Sequence, residues 1–179
     1  RYFVGRRIVR LDLDAHTATD DRGDIYVYEK VLLATGGRPR RLPFVAEDVT
    51  YFRTLDDYHR LRRLADAGAR FAVIGGGFIG SEIAAALALA GAPVTMVFPG
   101  PGIGARIFPP GLSAAVNDYY RDRGVEVLAR TAVTAVERFG DARRLTLENG
   151  RVLEVDAIVA GVGIEPQREA RGRRGPAGC

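Results

Sequence analysis

Polar and apolar positions alternate along Arg7-Ile8-Val9-Arg10-Leu11-Asp12-Leu13-Asp14, the period-two pattern of a half-buried strand. Asp20-Asp21-Arg22-Gly23-Asp24 clusters turn formers, and Ile25-Tyr26-Val27-Tyr28 resumes the apolar run. The two runs predict a hairpin with a loose loop. Lys30-Val31-Leu32-Leu33-Ala34-Thr35-Gly36-Gly37 predicts a short buried strand entering a glycine turn, and Pro39 and Pro43 carry the chain away. Residues 44–54 read as a connection. Thr54-Leu55-Asp56-Asp57 then has the capping-box pattern, with Asp in the acidic position. It opens a helix that repeats Leu55, Tyr58, Leu61 and Leu64 and stops near Gly68. A domain boundary is expected here, separating 1–54 from 55–166.

The second half of the pattern is βαβ. Arg70-Phe71-Ala72-Val73-Ile74 predicts a buried strand, Gly75 to Gly80 a tight glycine turn, and Ser81 to Ala90 a helix of small residues closed by Gly91. Pro93 to Phe98 predicts the parallel return strand. A Gly/Pro loop over 99–111, a helix over 112–123 and a strand over 125–128 follow. Residues 131–155 alternate again around the turn Glu148-Asn149-Gly150 and predict three antiparallel strands. Asp156 to Gly163 predicts a last buried strand ending in glycines. Val31-Leu32-Leu33-Ala34-Thr35-Gly36 and Ile158-Val159-Ala160-Gly161-Val162-Gly163 echo one another, each an apolar strand after a meander. The predicted fold class is α/β, a Rossmann-like domain of βαβ units plus an antiparallel meander.

The glycine turn carries the candidate chemistry. Gly75, Gly77 and Gly80 fit G-x-G-x-x-G between a strand and a helix. In that motif the first glycine permits the turn, the second lets the backbone approach a pyrophosphate, and the third lets helix and strand pack closely. The helix N-terminus offers free N–H groups and positive partial charge to the anion. A site for NAD expects an acid at the end of the second strand, for the ribose 2′-OH. Val97-Phe98-Pro99-Gly100 supplies none; the nearest downstream charge is Arg106, suited to a 2′-phosphate or to stacking on adenine. The sequence therefore predicts weak discrimination between NADH and NADPH.

Composition narrows the alternatives. With 179 residues, 47% hydrophobic and 27% charged, the chain has a globular composition. The longest apolar stretch, Ile83 to Ala92, is too short to span a bilayer, and the N-terminus lacks a signal-peptide pattern, so no membrane role and a cytoplasmic location are expected. Cys179 is the only cysteine, which excludes an internal disulfide, a CxxC pair and a cysteine zinc site; His16 and His59 have no metal-ligand spacing. No metal site is expected. The net charge is +4, of which the tail from Arg168 carries +3 through four Arg and one Glu. Residues 167–179 read as a disordered basic tail, which argues against nucleic acid as a partner, since a basic footprint should map onto a folded face.

Taken together these motifs resemble the pyridine nucleotide–disulfide oxidoreductase superfamily of flavoproteins, most of all the branch containing apoptosis-inducing factor and the ferredoxin reductases of oxygenase systems. Tyr28 to Gly37 resembles the strand entering the second FAD motif. Phe52-Arg53-Thr54-Leu55-Asp56-Asp57 resembles the crossover, Val73 to Glu82 the nucleotide loop, and Gly161 to Pro166 the motif closing the domain. Phe98-Pro99 and Asn117-Asp118-Tyr119-Tyr120 are similar to the apoptosis-inducing-factor branch in particular.

The resemblance implies FAD reduced by NAD(P)H, with residues 1–54 a partial FAD-binding domain and crossover, and 55–166 the NAD(P)-binding domain. Thr35 and Gly36 would pass near FAD and Arg53 would contact it. Gly75, Gly76, Gly77, Phe78, Ile79 and Gly80 would hold the dinucleotide, with Phe78 and Glu82 beside the nicotinamide. Gly163 would admit the nicotinamide ribose, and Arg106 would lie at the adenosine end. No residue of the chain is assigned a catalytic role. The family's first FAD glycine loop and its later Gly-Asp motif do not occur in this chain, which also lacks an initiator Met. The expected partners are therefore the missing segments of the FAD domain and an electron acceptor, a small molecule or a redox protein. The isolated segment is expected to be inactive, and the alternative reading is a truncated, non-catalytic nucleotide-binding module. Without a cysteine pair, a disulfide substrate is not expected.

Overall fold

The computed structural model describes residues 1–44 and 48–167. The expected basic tail from Arg168 lies outside them. The chain divides into two compact units, one formed by Arg1–Arg38 with Glu165–Gln167 among the described residues, the other by Pro39–Ile164.

In the first unit, β1 (Ile8–Asp12), β2 (Thr17–Asp20) and β3 (Ile25–Val27) form an antiparallel sheet in that order. The expected hairpin is therefore a meander. β2 lies between the two runs read from sequence, and its Thr-Ala-Thr-Asp has no apolar alternation to reveal it. His16, in a turn with φ 51°, stacks on Tyr28 at 5.6 Å. Asp20 organises the turn that follows. Its buried carboxylate accepts from Arg6 and the Tyr26 hydroxyl, both at 2.8 Å, and from the N–H groups of Arg22 and Asp24 at 2.9 and 3.0 Å. Burial alone would raise this carboxyl; the donors outweigh it and hold it at about 2.

The strand expected over 30–37 does not form. Residues 30–36 are irregular, and Leu32 is 90% exposed. A run apolar on both faces becomes a buried strand only with a pairing partner and layers above and below, and no strand among the described residues pairs with it. Regular pairing begins at β4 (Gly37–Pro39), which joins β13 (Ile164–Pro166) in a two-stranded ribbon.

The second unit has three layers. Its central parallel sheet runs β5 (Val49–Thr50), β12 (Ala157–Ala160), β6 (Phe71–Ile74), β7 (Val94–Phe98), β8 (Val125–Ala129). β5 corrects the reading of 44–54 as mere connection: Val49 pairs with Ile158 at the sheet edge. The described residues 39–44 and 48–54, expected with the first domain, thus group with the second unit. Strand alternation sorts the core. Phe71, Val73 and Met96 face α1 (Leu55–Asp66), α2 (Phe78–Leu89) and α3 (Pro110–Arg121). Ala72, Ile74, Val97 and Ile158 meet Leu145, Leu147, Leu153 and Val155 of the antiparallel meander β9 (Val133–Phe139), β10 (Ala142–Leu147) and β11 (Val152–Val155). A strand covered on both faces reads as a continuous apolar run, as β6 does.

Helix limits follow their caps. Thr54 and Asp57 form the capping box reciprocally, and Asp57 also accepts from the Arg53 N–H at 2.9 Å. Burial would raise the Asp57 carboxyl, but these donors hold it below its usual value. Of the apolar series on α1, Leu61 is buried and Leu64 packs against the core, whereas Leu55 and Tyr58 are exposed. α2 starts at Phe78, ahead of the expected Ser81, and α3 starts at Pro110, ahead of Leu112, with proline in the first turn.

Candidate nucleotide site

The carboxyl ends of β6, β7, β8 and β12 converge on the glycine turn, the edge where open α/β sheets bind ligands. The four glycines of the turn play different parts. Gly75 has φ 121°, and a Cβ there would collide with the Gly161 carbonyl. Gly76 lies against Phe98; a Cβ would stand 2.8 Å from its ring. Gly80 presses on the Gly75 carbonyl, and a Cβ on Gly161 would come within 2.7 Å of the Gly80 nitrogen. These positions are filled by the protein itself. Gly77 is not: a Cβ there would meet nothing within 4 Å. It is the N-cap of α2, with φ −87° and no side-chain cap on the helix. The turn is therefore closed at Gly75, Gly76 and Gly80 and open at Gly77, where the start of α2 offers the free N–H groups that suit a diphosphate.

The loop after β7 is fixed to this turn. Gly104 donates its N–H to the Gly76 carbonyl at 2.8 Å. Asn117 accepts from the Ile103 N–H at 2.9 Å and donates to the Pro101 carbonyl at 3.2 Å, while the Ser113 hydroxyl donates to the Ile103 carbonyl at 2.7 Å. Both side chains are buried. They shape the loop without facing solvent, and sequence reasoning gave Ser113 no part in the site. A polar residue on the inward face of an otherwise amphipathic helix was the available signal. The loop leaves Gly100 at the strand end and Arg106 exposed.

Phe78 and Glu82 are four residues apart on α2 and share a face, both exposed. Ile79 is half-buried against the core. Arg53 is exposed just ahead of α1. Gly163, with φ 103°, accepts from the Arg40 N–H at 2.9 Å. In the first unit, Gly36 has φ 69° and accepts from the Gln167 N–H at 3.0 Å, and the Thr35 hydroxyl donates to the Gln167 carbonyl at 2.9 Å. Two groups beside the loop were not singled out from sequence. Arg130 donates its N–H to the Gly100 carbonyl at 3.0 Å, and Thr131 donates to Phe98 at 3.3 Å. Both follow β8, whose pairing with β7 the linear order conceals. Among the described residues no group of three or more His, Cys, Asp or Glu is placed to hold a metal, and no helix is long and apolar enough to cross a membrane.

Residues 1–178 match the pyridine nucleotide-disulphide oxidoreductase family. The chain belongs to this family. It is 32% identical over 173 residues to the peroxisomal monodehydroascorbate reductase 1 of Arabidopsis thaliana, a match covering 91% of this chain and 40% of that protein. It is 36% identical over 169 residues to the ferredoxin–NAD(+) reductase component of the p-cumate 2,3-dioxygenase system of Pseudomonas putida, covering 93% and 41%. The crystal structure of a ferredoxin reductase from Rhodopseudomonas palustris superposes with a TM-score of 0.79 at 31% identity, over 94% of this chain and 43% of that one. The chain thus spans about two fifths of the length of the curated relatives it matches.

Proposed function

We propose that this chain is the NAD(P)H-binding portion of a flavin-dependent oxidoreductase, in which hydride passes from NAD(P)H to FAD and the electrons it carries pass from the flavin on to an electron acceptor. The observation that carries the reading is the contrast within the glycine turn, closed at Gly75, Gly76 and Gly80 and open at Gly77. The pyridine nucleotide-disulphide oxidoreductase match and relatives named as reductases support it. When bound, the nicotinamide supplies hydride and the flavin accepts it.

The chain's own residues do the positioning. Gly77 leaves room for the pyrophosphate, whose charge the uncapped N–H groups of α2 stabilise. Gly80 and Gly161 hold that helix end against the strand ends. Phe78 and Glu82 present one face of the first turns toward the nicotinamide side, and Gly163 leaves the backbone approachable by its ribose. For FAD the carried-over residues are Thr35, Gly36 and Arg53, with the rest of its cleft supplied by segments outside this chain. The acceptor belongs to the redox-protein or small-molecule class that the relatives' names describe, ferredoxin or monodehydroascorbate. The location proposed is cytoplasmic.

The test is Gly77→Val. The φ of −87° removes any left-handed strain, so the variant keeps its fold. Calorimetric titration should show dinucleotide binding by the native chain and its loss, by at least about tenfold, in the variant, with circular dichroism unchanged. Equal affinities would remove Gly77 from the site.

A further inference from the structure

Resting on the dinucleotide reading above, we propose that Arg130, with Arg106, makes the adenosine end of the site a receptor for a 2′-phosphorylated dinucleotide, so that the chain prefers NADP(H). The pyrophosphate sits at the start of α2, directly after β6, and the residue that reads the adenosine ribose stands at the end of the next strand, β7. That position is Gly100, with no side chain to repel a phosphate or to bond a 2′-OH. The strand beyond β7 is β8, in register through Phe98 and Ala129. The residue after Ala129 is Arg130, and its N–H holds the Gly100 carbonyl at 3.0 Å. The backbone of Arg130 is therefore tied to Gly100, the position where an acid would stand.

Three further observations agree. Arg130 adopts φ 59°; it and His16 are the only non-glycine residues with positive φ among the described residues. That conformation is costly for a long side chain and is retained where surroundings enforce it, often at ligand sites. The Arg130 side chain is exposed and makes no hydrogen bond or ion pair among the described residues, and the same holds for Arg106 on the loop after β7. Beside Arg130, the buried Thr131 hydroxyl has no hydrogen-bond partner, and such a group normally finds a ligand or an ordered water. Guanidinium groups suit phosphate through paired donors in a planar fork. The preference expected is larger than Arg106 alone would give.

Calorimetric titrations of the full chain with NADPH, NADH and 2′,5′-ADP test this. NADPH should bind at least about tenfold tighter than NADH, and raising salt should narrow the gap. Arg130→Asn, whose side chain tolerates left-handed backbone, should weaken NADPH and 2′,5′-ADP by about tenfold more than NADH. Arg130→Lys should retain part of the preference, and Arg106→Ala should reduce it further. Equal affinities for NADPH and NADH in the native chain overturn the proposal and leave the dinucleotide site standing. So does a loss in Arg130→Asn that is the same for both nucleotides, or a preference indifferent to salt. If neither nucleotide binds the native chain, the dinucleotide reading falls, and this proposal with it.

Discussion

Val31-Leu32-Leu33-Ala34-Thr35-Gly36 and Ile158-Val159-Ala160-Gly161-Val162-Gly163 are nearly the same sentence in hydrophobicity, and they fold differently. The second holds β12, fully buried between β5 and β6 and covered by helices on one face and a meander on the other. The first is irregular, with Val31, Leu32 and Leu33 exposed. An apolar run carries no strand within itself; it takes a pairing partner and two covering layers to make a buried one. β12 is also secured at each end. At its start Asp156 accepts from the Arg70 N–H and guanidinium, all between 2.8 and 3.0 Å. At its finish Gly161 meets Gly80 backbone to backbone. Among the described residues, the hydrogen bonds of segment 31–36 lie at its far end, where Thr35 and Gly36 bond Gln167.

The sharpest way to break this comparison is to place the same charge in both runs. Val159 is 0% exposed, so Val159→Asp buries an unpaired carboxylate, costing about 4 kcal/mol or more. Leu32→Asp should fall within about 0.5 kcal/mol of the native chain. Urea unfolding of the two variants decides it, and similar losses would mean that the 31–36 run is buried after all.

Gly161→Ala comes next. Its Cβ would press on the Gly80 nitrogen and Cα, backbone atoms that cannot swing aside, and about 1–3 kcal/mol should be lost. Dinucleotide affinity should fall with it, since the same contact fixes the start of α2. A variant as stable as the native chain would show that β12 and α2 slide apart freely.

At the other end of β12, hydrogen bonds from the Arg70 guanidinium and N–H hold the Asp156 carboxyl at about 2. A depressed carboxyl stabilises the fold fully above its ordinary value of 3.8 and loses that contribution as pH falls toward about 2. The pair is partly exposed, so Asp156→Ala should cost only about 1 kcal/mol at neutral pH. The difference between variant and native chain should shrink on acidification below pH 4, followed by denaturation at stepped pH. A difference constant down to pH 2 would dissociate the carboxylate from stability.

The smallest effect is expected at Thr35→Ala. This exposed hydroxyl bond to Gln167 should contribute no more than about 0.5 kcal/mol.

Legibility in the sequence follows the same division. The βαβ unit, the capping box at Thr54, the meander over 133–155 and β12 were readable because every contact that makes them lies inside the chain. β2 was hidden by Thr17-Ala18-Thr19-Asp20, which has no apolar alternation, and β5 by its two-residue length. The run over 30–37 misled because it has the composition of a buried strand without the neighbours. In the site, spacing revealed the glycines, whose roles are local. Arg130, Ser113 and Thr131 were not legible as neighbours of the loop after β7, because their places depend on the β7–β8 pairing and on how α3 seats the loop. That pairing joins residues distant in sequence, and no periodicity encodes it.

The position of β12 also sets an order of events during synthesis. Ile158 pairs with Ala72 and with Val49, both far earlier in the chain, so the sheet is closed by sequence-distant contacts of the slow kind. A ribosome emits β5, β6 and the entire Gly75–Gly80 turn while the strand that joins them does not yet exist. Until β12 arrives, β5 has no place in the sheet and Gly80 nothing to rest against on the Gly161 side. The glycine turn is written early and completed late, which leaves the nascent half-sheet with one apolar edge open until β12 is made.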